Sequence, residues 1–348
     1  MYRIKRLAPN DLPEHTRSDA IAASRGLQFS PILLAIYLSV MMTYGILRLT
    51  NQTELIAFLT VLTVVLMCAT SLVHMVESHG LRRAAIMAAG AFSITLAAEL
   101  VGVATGALYG QYAYSDNLGV KVLGLVPLVV PLAWLMMLYP AFETTKLLFP
   151  HTSQSSVPTP LNLSRYARVL LAGTAAAAMT AWDLSLDPRM VSDGNWTWQN
   201  GGEYFGIPLS NFAGWLVTAF AIYLFWLIVT ARQQAPARPM LRGLDALIDR
   251  LSGRSGGMTR HLARPLRSTI WTSLPVYIYI MTWLSESIVN VVLWRTPLVG
   301  LAVFIGMGVF CLPALLRLWQ THGDMMVTLG QSLRGRVMRV RPTTSTGK

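Results

Sequence analysis

Hydrophobic residues along the chain are grouped into eight long apolar segments, and the short connections between them carry most of the polar residues. A helix that crosses the hydrocarbon core of a bilayer needs about 20 apolar residues. The pattern therefore predicts an all-α fold, a polytopic transmembrane helical bundle with about eight spans and seven as the alternative. The predicted spans are Pro31–Leu49, Leu55–Val76, Ala84–Leu108, Val120–Phe142, Ala167–Leu186, Pro208–Thr230, Trp271–Leu293 and Leu298–Leu318.

The composition agrees with a membrane protein. Of the 348 residues, 53% are hydrophobic and 13% are charged, whereas a soluble domain carries about 25% charged residues. Mean hydropathy is +0.48. These values exclude soluble domains, a disordered chain and a disulfide scaffold. Cys68 and Cys311 both lie in apolar runs, so we expect them to behave as small buried hydrophobic residues rather than as a bridge or metal ligands.

The net charge of +12 could indicate nucleic-acid binding, but the distribution of the charge favours membrane topology. With eight spans, one side of the membrane holds 24 Lys and Arg residues and the other holds only Arg48, Lys121, Arg189 and Arg295. This asymmetry follows the positive-inside rule and predicts that both termini are cytoplasmic. We therefore expect a multi-pass protein of the cell inner (cytoplasmic) membrane that contacts lipid headgroups and binds no nucleic acid.

The same pattern predicts how the chain is organised. Residues 1–29 are expected to form a cytoplasmic N-terminal tail without a cleavable signal peptide. Residues 30–320 form a single transmembrane helical domain, and residues 321–348 form a basic C-terminal tail. Residues 232–270 form a basic cytoplasmic loop within the domain, in which Leu241–Leu251 is predicted to be a short amphipathic helix on the membrane surface.

Two carboxyl groups fall inside predicted spans. Glu99 lies in the third span and Glu286 in the seventh. A carboxyl group inside the membrane is costly, so it usually faces the protein interior and has a function. For Glu99 we favour a proton donor in an apolar pocket, although a carboxyl group held by a neighbouring helix is the alternative. Glu286 is open between a proton partner and a packing role.

A second acidic feature is Asp183-Leu-Ser-Leu-Asp187-Pro188, where Pro188 is expected to end the helix or to start a turn. Asp183 and Asp187 are four residues apart and share one face if the helix continues. Two acids on one face favour either a shared proton or a site for a metal-bound diphosphate.

Aromatic residues and glycines follow these acids. Trp196 and Trp198 flank a single threonine, Tyr204 lies in a glycine-rich stretch, and Asn211 and Trp215 begin the next span. Interfacial Trp and Tyr are common, but a Trp-x-Trp pair between acids also suits a wall that stabilises a cation. Gly214 is expected to allow a close approach of the backbone.

Two blocks of the sequence carry a resemblance to a known family. The first contains ELVGVATG from Glu99, YGQYAY from Tyr109 and the segment that ends at Trp134. The second runs from Asp183 through Trp196-Thr-Trp198 to Trp215. Together they resemble the carotenoid hydratases, an integral-membrane family, over residues 95–220. Tyr109 stands where the family pattern has phenylalanine.

The resemblance implies an enzyme, a hydro-lyase that adds water across the terminal carbon–carbon double bond of an acyclic carotenoid end. The product is a tertiary alcohol, and the reaction uses no cofactor, no metal and no redox change. The implied partners are a membrane-dissolved carotenoid, water and possible associated enzymes of carotenoid synthesis. Candidate catalytic residues are Glu99, Asp183, Asp187 and Asn211; candidate substrate-binding residues are Tyr109, Tyr112, Tyr114, Trp134, Trp196, Trp198, Tyr204 and Trp215.

The expected mechanism is protonation of the alkene by a carboxylic acid, followed by capture of the carbocation by water. Glu99 or Asp183 would donate the proton, and the other carboxylate would hold the water together with Asp187. Three alternatives remain open at this stage: an intramembrane prenyltransferase that uses Asp183 and Asp187, a proton-coupled transporter that uses Glu99 and Glu286, and a structural partner in a pigment-synthesis complex.

Overall fold

The structure, a computed structural model, describes residues 28–50, 52, 54–149, 164–231 and 270–337. Long helices dominate these residues, with short strands in two of the connections. The helices are α1 (Ser30–Leu49), α2 (Ile56–His79), α3 (Leu81–Thr105), α4 (Val129–Lys146), α5 (Arg165–Ser192), α6 (Leu209–Ala231), α7 (Leu274–Val292) and α8 (Pro297–Val337). The strands are β1 (Tyr112–Tyr114), β2 (Lys121–Val122), β3 (Val126–Pro127) and β4 (Trp196–Trp198).

Seven helices of the described segments are long and apolar enough to cross a membrane, namely all except α4. Their outer faces present large apolar side chains, such as Ile36, Phe58 and Leu301, to the surroundings. Lipid is the solvent that suits such a surface. The helical membrane bundle is therefore confirmed, while the total of eight spans and the side of the termini stay predictions.

The fourth helix differs from the others because it lies inside the bundle. Thirteen of its 18 residues are buried, and it contacts α2, α3, α5, α7 and α8. By contrast, α1 has three buried residues, Ser30, Leu34 and Tyr44. A helix that is surrounded by protein needs neither the length nor the uniform apolar composition of a lipid-facing helix, which explains why α4 tolerates Glu143 and Lys146.

The predicted start of the fourth span at Val120 is wrong. Residues 121–127 instead form a β-hairpin, in which Lys121 pairs with Pro127 and Val122 with Val126. Leu123 and Gly124 both have positive φ, 50° and 71°, and the Leu125 N–H donates to the Val122 carbonyl oxygen at 2.9 Å, which together form a tight β-turn. The helix begins only after this hairpin, at Val129.

The prediction that Pro188 ends its helix is also wrong, because α5 continues to Ser192. A proline has no N–H, so it leaves the carbonyl oxygen four residues earlier without its helical donor. The Tyr204 hydroxyl donates to the Leu184 carbonyl oxygen at 2.9 Å and fills that position. The same arrangement occurs at Pro140 in α4, where Ser71 Oγ donates to the Met136 carbonyl oxygen at 2.8 Å.

The two aromatic connections are joined by a short antiparallel sheet. Strand β1 pairs with β4, with Tyr112 opposite Trp198 and Tyr114 opposite Trp196. Residues directly opposite each other in an antiparallel pair lie within side-chain contact. The sheet therefore closes one end of the bundle above α3, α5 and α6 with four aromatic rings.

The remaining predictions on chain organisation stay predictions. Helix α8 continues to Val337, into the segment that was predicted to be the C-terminal tail. The predicted amphipathic helix Leu241–Leu251 and almost all of the N-terminal tail and the basic 232–270 loop lie outside the described residues. Cys68 and Cys311 are free and buried, as expected for small hydrophobic residues.

Candidate active site

Glu99 lies near the end of α3, and it is held by three neutral donors. Its Oε2 atom accepts hydrogen bonds from Tyr112 at 2.5 Å and from Tyr114 at 2.8 Å. Its Oε1 atom accepts a longer bond from Trp134 Nε1 at 3.3 Å. Glu99 is 4% exposed. The pairing of β1 with β4 fixes the two tyrosines, so the carboxyl group is positioned by residues from α3, α4 and the sheet.

Asp183 and Asp187 form a second carboxyl group pair, and Asn211 joins them. Asn211 Nδ2 donates to Asp183 Oδ2 at 2.9 Å and also to Asp187 Oδ2. Trp196 Nε1 donates to Asp187 Oδ1 at 3.1 Å. The continuation of α5 through Pro188 places both acids on one face. Asp183 Oδ1 is buried and accepts no hydrogen bond from the described residues.

These groups surround an internal cavity of about 110 Å³. Glu99, Asp187 and Asn211 line it, together with aromatic residues from six different elements. Trp134 and Trp215 are stacked with ring centroids 4.1 Å apart, and Tyr112 stacks on Trp198 at 5.8 Å. The aromatic lining residues are Tyr37, Tyr109, Tyr112, Tyr114, Trp134, Trp182, Trp196, Trp198 and Trp215.

Tyr109 connects the first aromatic loop to α6. Its hydroxyl is 2.7 Å from Thr218 Oγ1, and its carbonyl oxygen accepts a hydrogen bond from Trp198 Nε1 at 2.8 Å. Thr218 thus gives a partner to the hydroxyl that distinguishes this residue from phenylalanine. Gly214 is required for the contact, since a Cβ atom there would lie 2.5 Å from the Leu108 carbonyl oxygen. The expected close approach at Gly214 is confirmed.

Burial and the nearby carboxylates change the titration of the loop tyrosines. Burial, followed by the charge of Glu99, raises the pKa of Tyr112 and of Tyr114 well above the usual range of a phenol. Burial, followed by the charges of Asp183 and Asp187, raises the pKa of Tyr204 to about 12. All three hydroxyls therefore remain hydrogen-bond donors at neutral and moderately alkaline pH.

The structure brings together most of the residues that the sequence singled out. Among the twelve candidates, only Asp183 and Tyr204 do not line the cavity. Asp183 reaches it indirectly through Asn211 and Asp187. Tyr204 lies behind α5, where it bonds to the Leu184 carbonyl oxygen and packs against Phe212.

Sequence reasoning missed two residues of the cavity wall. Trp182 packs edge-on against Trp215 at 6.1 Å, and a tryptophan next to Asp183 was the available signal. Arg189 was assigned to an external loop because Pro188 was expected to end the helix. It lies within α5 and binds Glu286 through Nη1 at 2.7 and 2.9 Å, so Glu286 is part of an ion pair.

The fold and this arrangement define the class of protein: a helical membrane protein with an internal, aromatic-lined acid site. Among the described residues, no three His, Cys, Asp or Glu side chains converge as a metal ion would require. The chemistry that the site can support is proton transfer and stabilisation of positive charge in a water-poor cavity.

Comparison with known proteins identifies the family. A family model described as "Carotenoid biosynthesis protein" matches residues 57–252, more than half of the chain, and the protein belongs to that family. The match extends from α2 beyond α6 and so contains every carboxyl group of the acid site.

A curated relative is bisanhydrobacterioruberin hydratase of Haloarcula japonica, which is 34% identical over 128 residues. The match covers 36% of this chain and 39% of that protein. The aligned region therefore spans less than half of the relative's length. No solved structure matches the chain.

Proposed function

We propose that this protein is a carotenoid hydratase, which adds water to the terminal carbon–carbon double bond of an acyclic carotenoid end. The observation that carries the proposal is the convergence of Glu99, Asp187 and Asn211 on one aromatic-lined cavity inside a membrane bundle. Membership of a carotenoid biosynthesis family and the hydratase relative support the same reaction. The substrate is a long apolar polyene, which dissolves in the bilayer where the protein resides.

The size and lining of the cavity suit the end of such a substrate. A dry engineered cavity of about 150 Å³ accepts benzene, so a cavity of about 110 Å³ accommodates a short branched hydrocarbon end. Met67, Val130 and Met137 supply apolar contact to it. The rest of the polyene would extend between helices towards the lipid.

The proton donor in this proposal is the pair of Asp183 and Asp187. Both carboxyl groups accept hydrogen bonds from the same Asn211 Nδ2, which holds them close together, and two adjacent carboxylates in a buried site do not both ionise. One proton is therefore shared between them. Asp187 lines the cavity and Asp183 does not, so Asp187 is the member that delivers the proton to the substrate.

The aromatic residues of the cavity wall stabilise the carbocation that forms when the alkene is protonated. The π electrons form a new C–H bond with the proton, and the more substituted carbon becomes a tertiary cation. Tyr112, Trp196 and Trp198 present aromatic rings around this position, and aromatic faces stabilise a desolvated cation by up to about 2 kcal/mol. The Glu99 carboxyl group, held by Tyr112, Tyr114 and Trp134, presents oriented oxygen atoms that also stabilise positive charge.

Capture by water completes the cycle. A lone pair of the water oxygen forms the C–O bond, and the excess proton returns to the Asp183–Asp187 pair. The pair is then ready for the next substrate, and the reaction is balanced without an external acid, base or electron acceptor. Asn211, which bonds both acids, keeps them in one orientation throughout.

The reaction can be tested in membranes that contain the protein and an acyclic-ended carotenoid, in water labelled in its oxygen. The proposal predicts a product heavier by one labelled water, with or without a magnesium chelator. A product without the label would contradict hydration, and a prenylated product that requires magnesium would instead support the prenyltransferase alternative at Asp183 and Asp187. Membranes with the Asp116→Asn variant serve as the control, because Asp116 is exposed and forms its ion pair with Lys121 in an external loop.

A further inference from the structure

The cavity has a second polar end, away from the three carboxyl groups of the acid site. Beyond Asp187 its wall continues to Arg189 on α5, to Glu286 on α7 and to Tyr37 on α1. Arg189 Nη1 donates to both Glu286 oxygens at 2.7 and 2.9 Å. Burying an ion pair among membrane helices costs desolvation energy. Its position on the wall of a cavity therefore indicates that further polar groups or water molecules contact it there.

One hydrogen-bonding position at this end is unfilled by the described residues. Arg189 Nε is buried and has no hydrogen-bond partner among them. Tyr37 also lines this part of the cavity wall. Buried polar groups without protein partners bond to ordered water. A water molecule takes about 30 Å³, so the cavity has room for several.

The polar groups continue from the cavity to the end of the bundle. Glu286 lies six residues before the end of α7, a depth of about 9 Å at 1.5 Å per residue. The Trp294 ring lies 5.5 Å from the Arg189 guanidinium and 5.0 Å from that of Arg48. Arg48 forms an ion pair with Asp193 and is 20% exposed. A line of charged and aromatic groups thus joins the end of the bundle to the cavity wall.

We propose that this line, from Arg48 and Asp193 through Arg189 and Glu286, is the route by which water reaches the acid site. The inference rests on the proposed function, because the hydration of an alkene consumes one water per turnover. The ion pair holds water at one end of the cavity, while the apolar wall formed by α2 and α4 receives the hydrocarbon. Water and alkene therefore approach Asp187 from different directions.

Cysteine labelling tests the route without requiring turnover. Thr282 lines the cavity, whereas Met281, its neighbour on α7, is 40% exposed on the outside. On α1, Met41 lines the cavity and Met42 is 70% exposed. Four variants, each with one Cys added at one of these positions and with the native cysteines retained, would be treated with a charged thiosulfonate in open membrane fragments. The unaltered protein gives the background from Cys68 and Cys311, which are buried.

A thiol reacts as the thiolate, which forms in contact with water and not in lipid. We therefore expect Thr282→Cys and Met41→Cys to be labelled at least about tenfold faster than Met281→Cys and Met42→Cys. Equal rates within both pairs would overturn the water route. Because each pair shares a helix, a folding defect of that helix affects both members alike.

The labelling and the reaction can fail separately. Slow labelling at Thr282→Cys and Met41→Cys in membranes that still hydrate the carotenoid overturns the route and leaves the hydratase standing. Fast labelling in membranes that never form the hydrated pigment supports a water-filled inlet and overturns the proposed reaction.

Discussion

The acid site and the Arg189–Glu286 pair lie on the wall of one cavity, yet their buried carboxyl groups are stabilised by different kinds of donor. Glu99, Asp183 and Asp187 are held by phenol, indole and amide donors, none of which carries a charge. Glu286 is held by a guanidinium group. Neutral donors supply hydrogen bonds without a compensating charge, whereas a guanidinium group supplies both. The carboxyl groups of the acid site are therefore placed for proton transfer, whereas Glu286 is placed as the partner of Arg189.

The largest expected effect is that of Asp187→Asn on activity. The change removes the proposed proton donor, and general acid catalysis is worth about a hundredfold to ten-thousandfold. Hydrated pigment should therefore fall by at least about a hundredfold, measured by mass spectrometry of extracted carotenoid against the amount of inserted protein. Asp116→Asn, at an exposed loop position, should leave the yield unchanged. Full activity of Asp187→Asn would remove this residue from the mechanism.

For Glu286→Gln we expect the main effect on thermal stability, whereas Asp187→Asn acts mainly on the chemical step. Removal of one partner from a buried ion pair leaves the other charge uncompensated and typically costs about 3–5 kcal/mol. We expect a clear fall in the thermal unfolding midpoint of the detergent-purified protein. The double variant Arg189→Met with Glu286→Leu should recover most of that loss, because no unpaired charge remains. A midpoint for Glu286→Gln equal to that of the unaltered protein would contradict the comparison.

Tyr204→Phe sharpens the comparison by testing a residue that supports the acid site from outside the cavity. The change removes the donor to the Leu184 carbonyl oxygen, and an unsatisfied buried acceptor costs about 1–3 kcal/mol. Helix α5 should then be less stable around Pro188, where Asp187 is positioned. We expect a modest loss of thermal stability and faster hydrogen exchange in residues 184–192, with Tyr166→Phe, an exposed tyrosine at the other end of α5, as the control. Unchanged exchange would show that α5 does not depend on this bond.

The smallest effect is the response to alkaline pH. An ordinary phenol titrates near pH 10, but the raised pKa values of Tyr112, Tyr114 and Tyr204 keep their hydroxyls protonated above that point. A raised pKa in the folded state stabilises the protein at pH values below the phenol's unfolded pKa. The hydroxyl protons, and with them this stabilisation, are lost only as pH rises through the higher pKa of the folded state. Hydration rates should therefore stay level between about pH 8 and 10, and a decline centred near the ordinary phenol value would contradict these donors.

The sequence predicted the helices and the site for reasons that can be traced to particular residues. Apolar runs about 20 residues long have few alternatives to a membrane helix, so seven membrane-capable helices were located, most of them within a few residues. Glu99, Asp183 and Asp187 were identifiable because a carboxyl group in an apolar run is costly. The aromatic residues were identifiable because their density exceeds that of an interfacial belt.

The rest depended on tertiary contacts that no local pattern contains. Whether α5 stops at Pro188 depends on Tyr204, a residue 16 positions later in the chain that supplies the missing donor. The pairing of Arg189 with Glu286 joins residues 97 positions apart. Each of these outcomes is decided by a partner that is distant in sequence.

The most direct test of the account is the mass of the pigment in cells that make an acyclic-ended carotenoid, with and without this protein. The account predicts a new pigment heavier by one water, which is absent when Asp187→Asn replaces the unaltered protein and reduced with Glu99→Gln. An unchanged pigment from a folded, membrane-inserted protein, across several acyclic carotenoid ends, would contradict the hydratase.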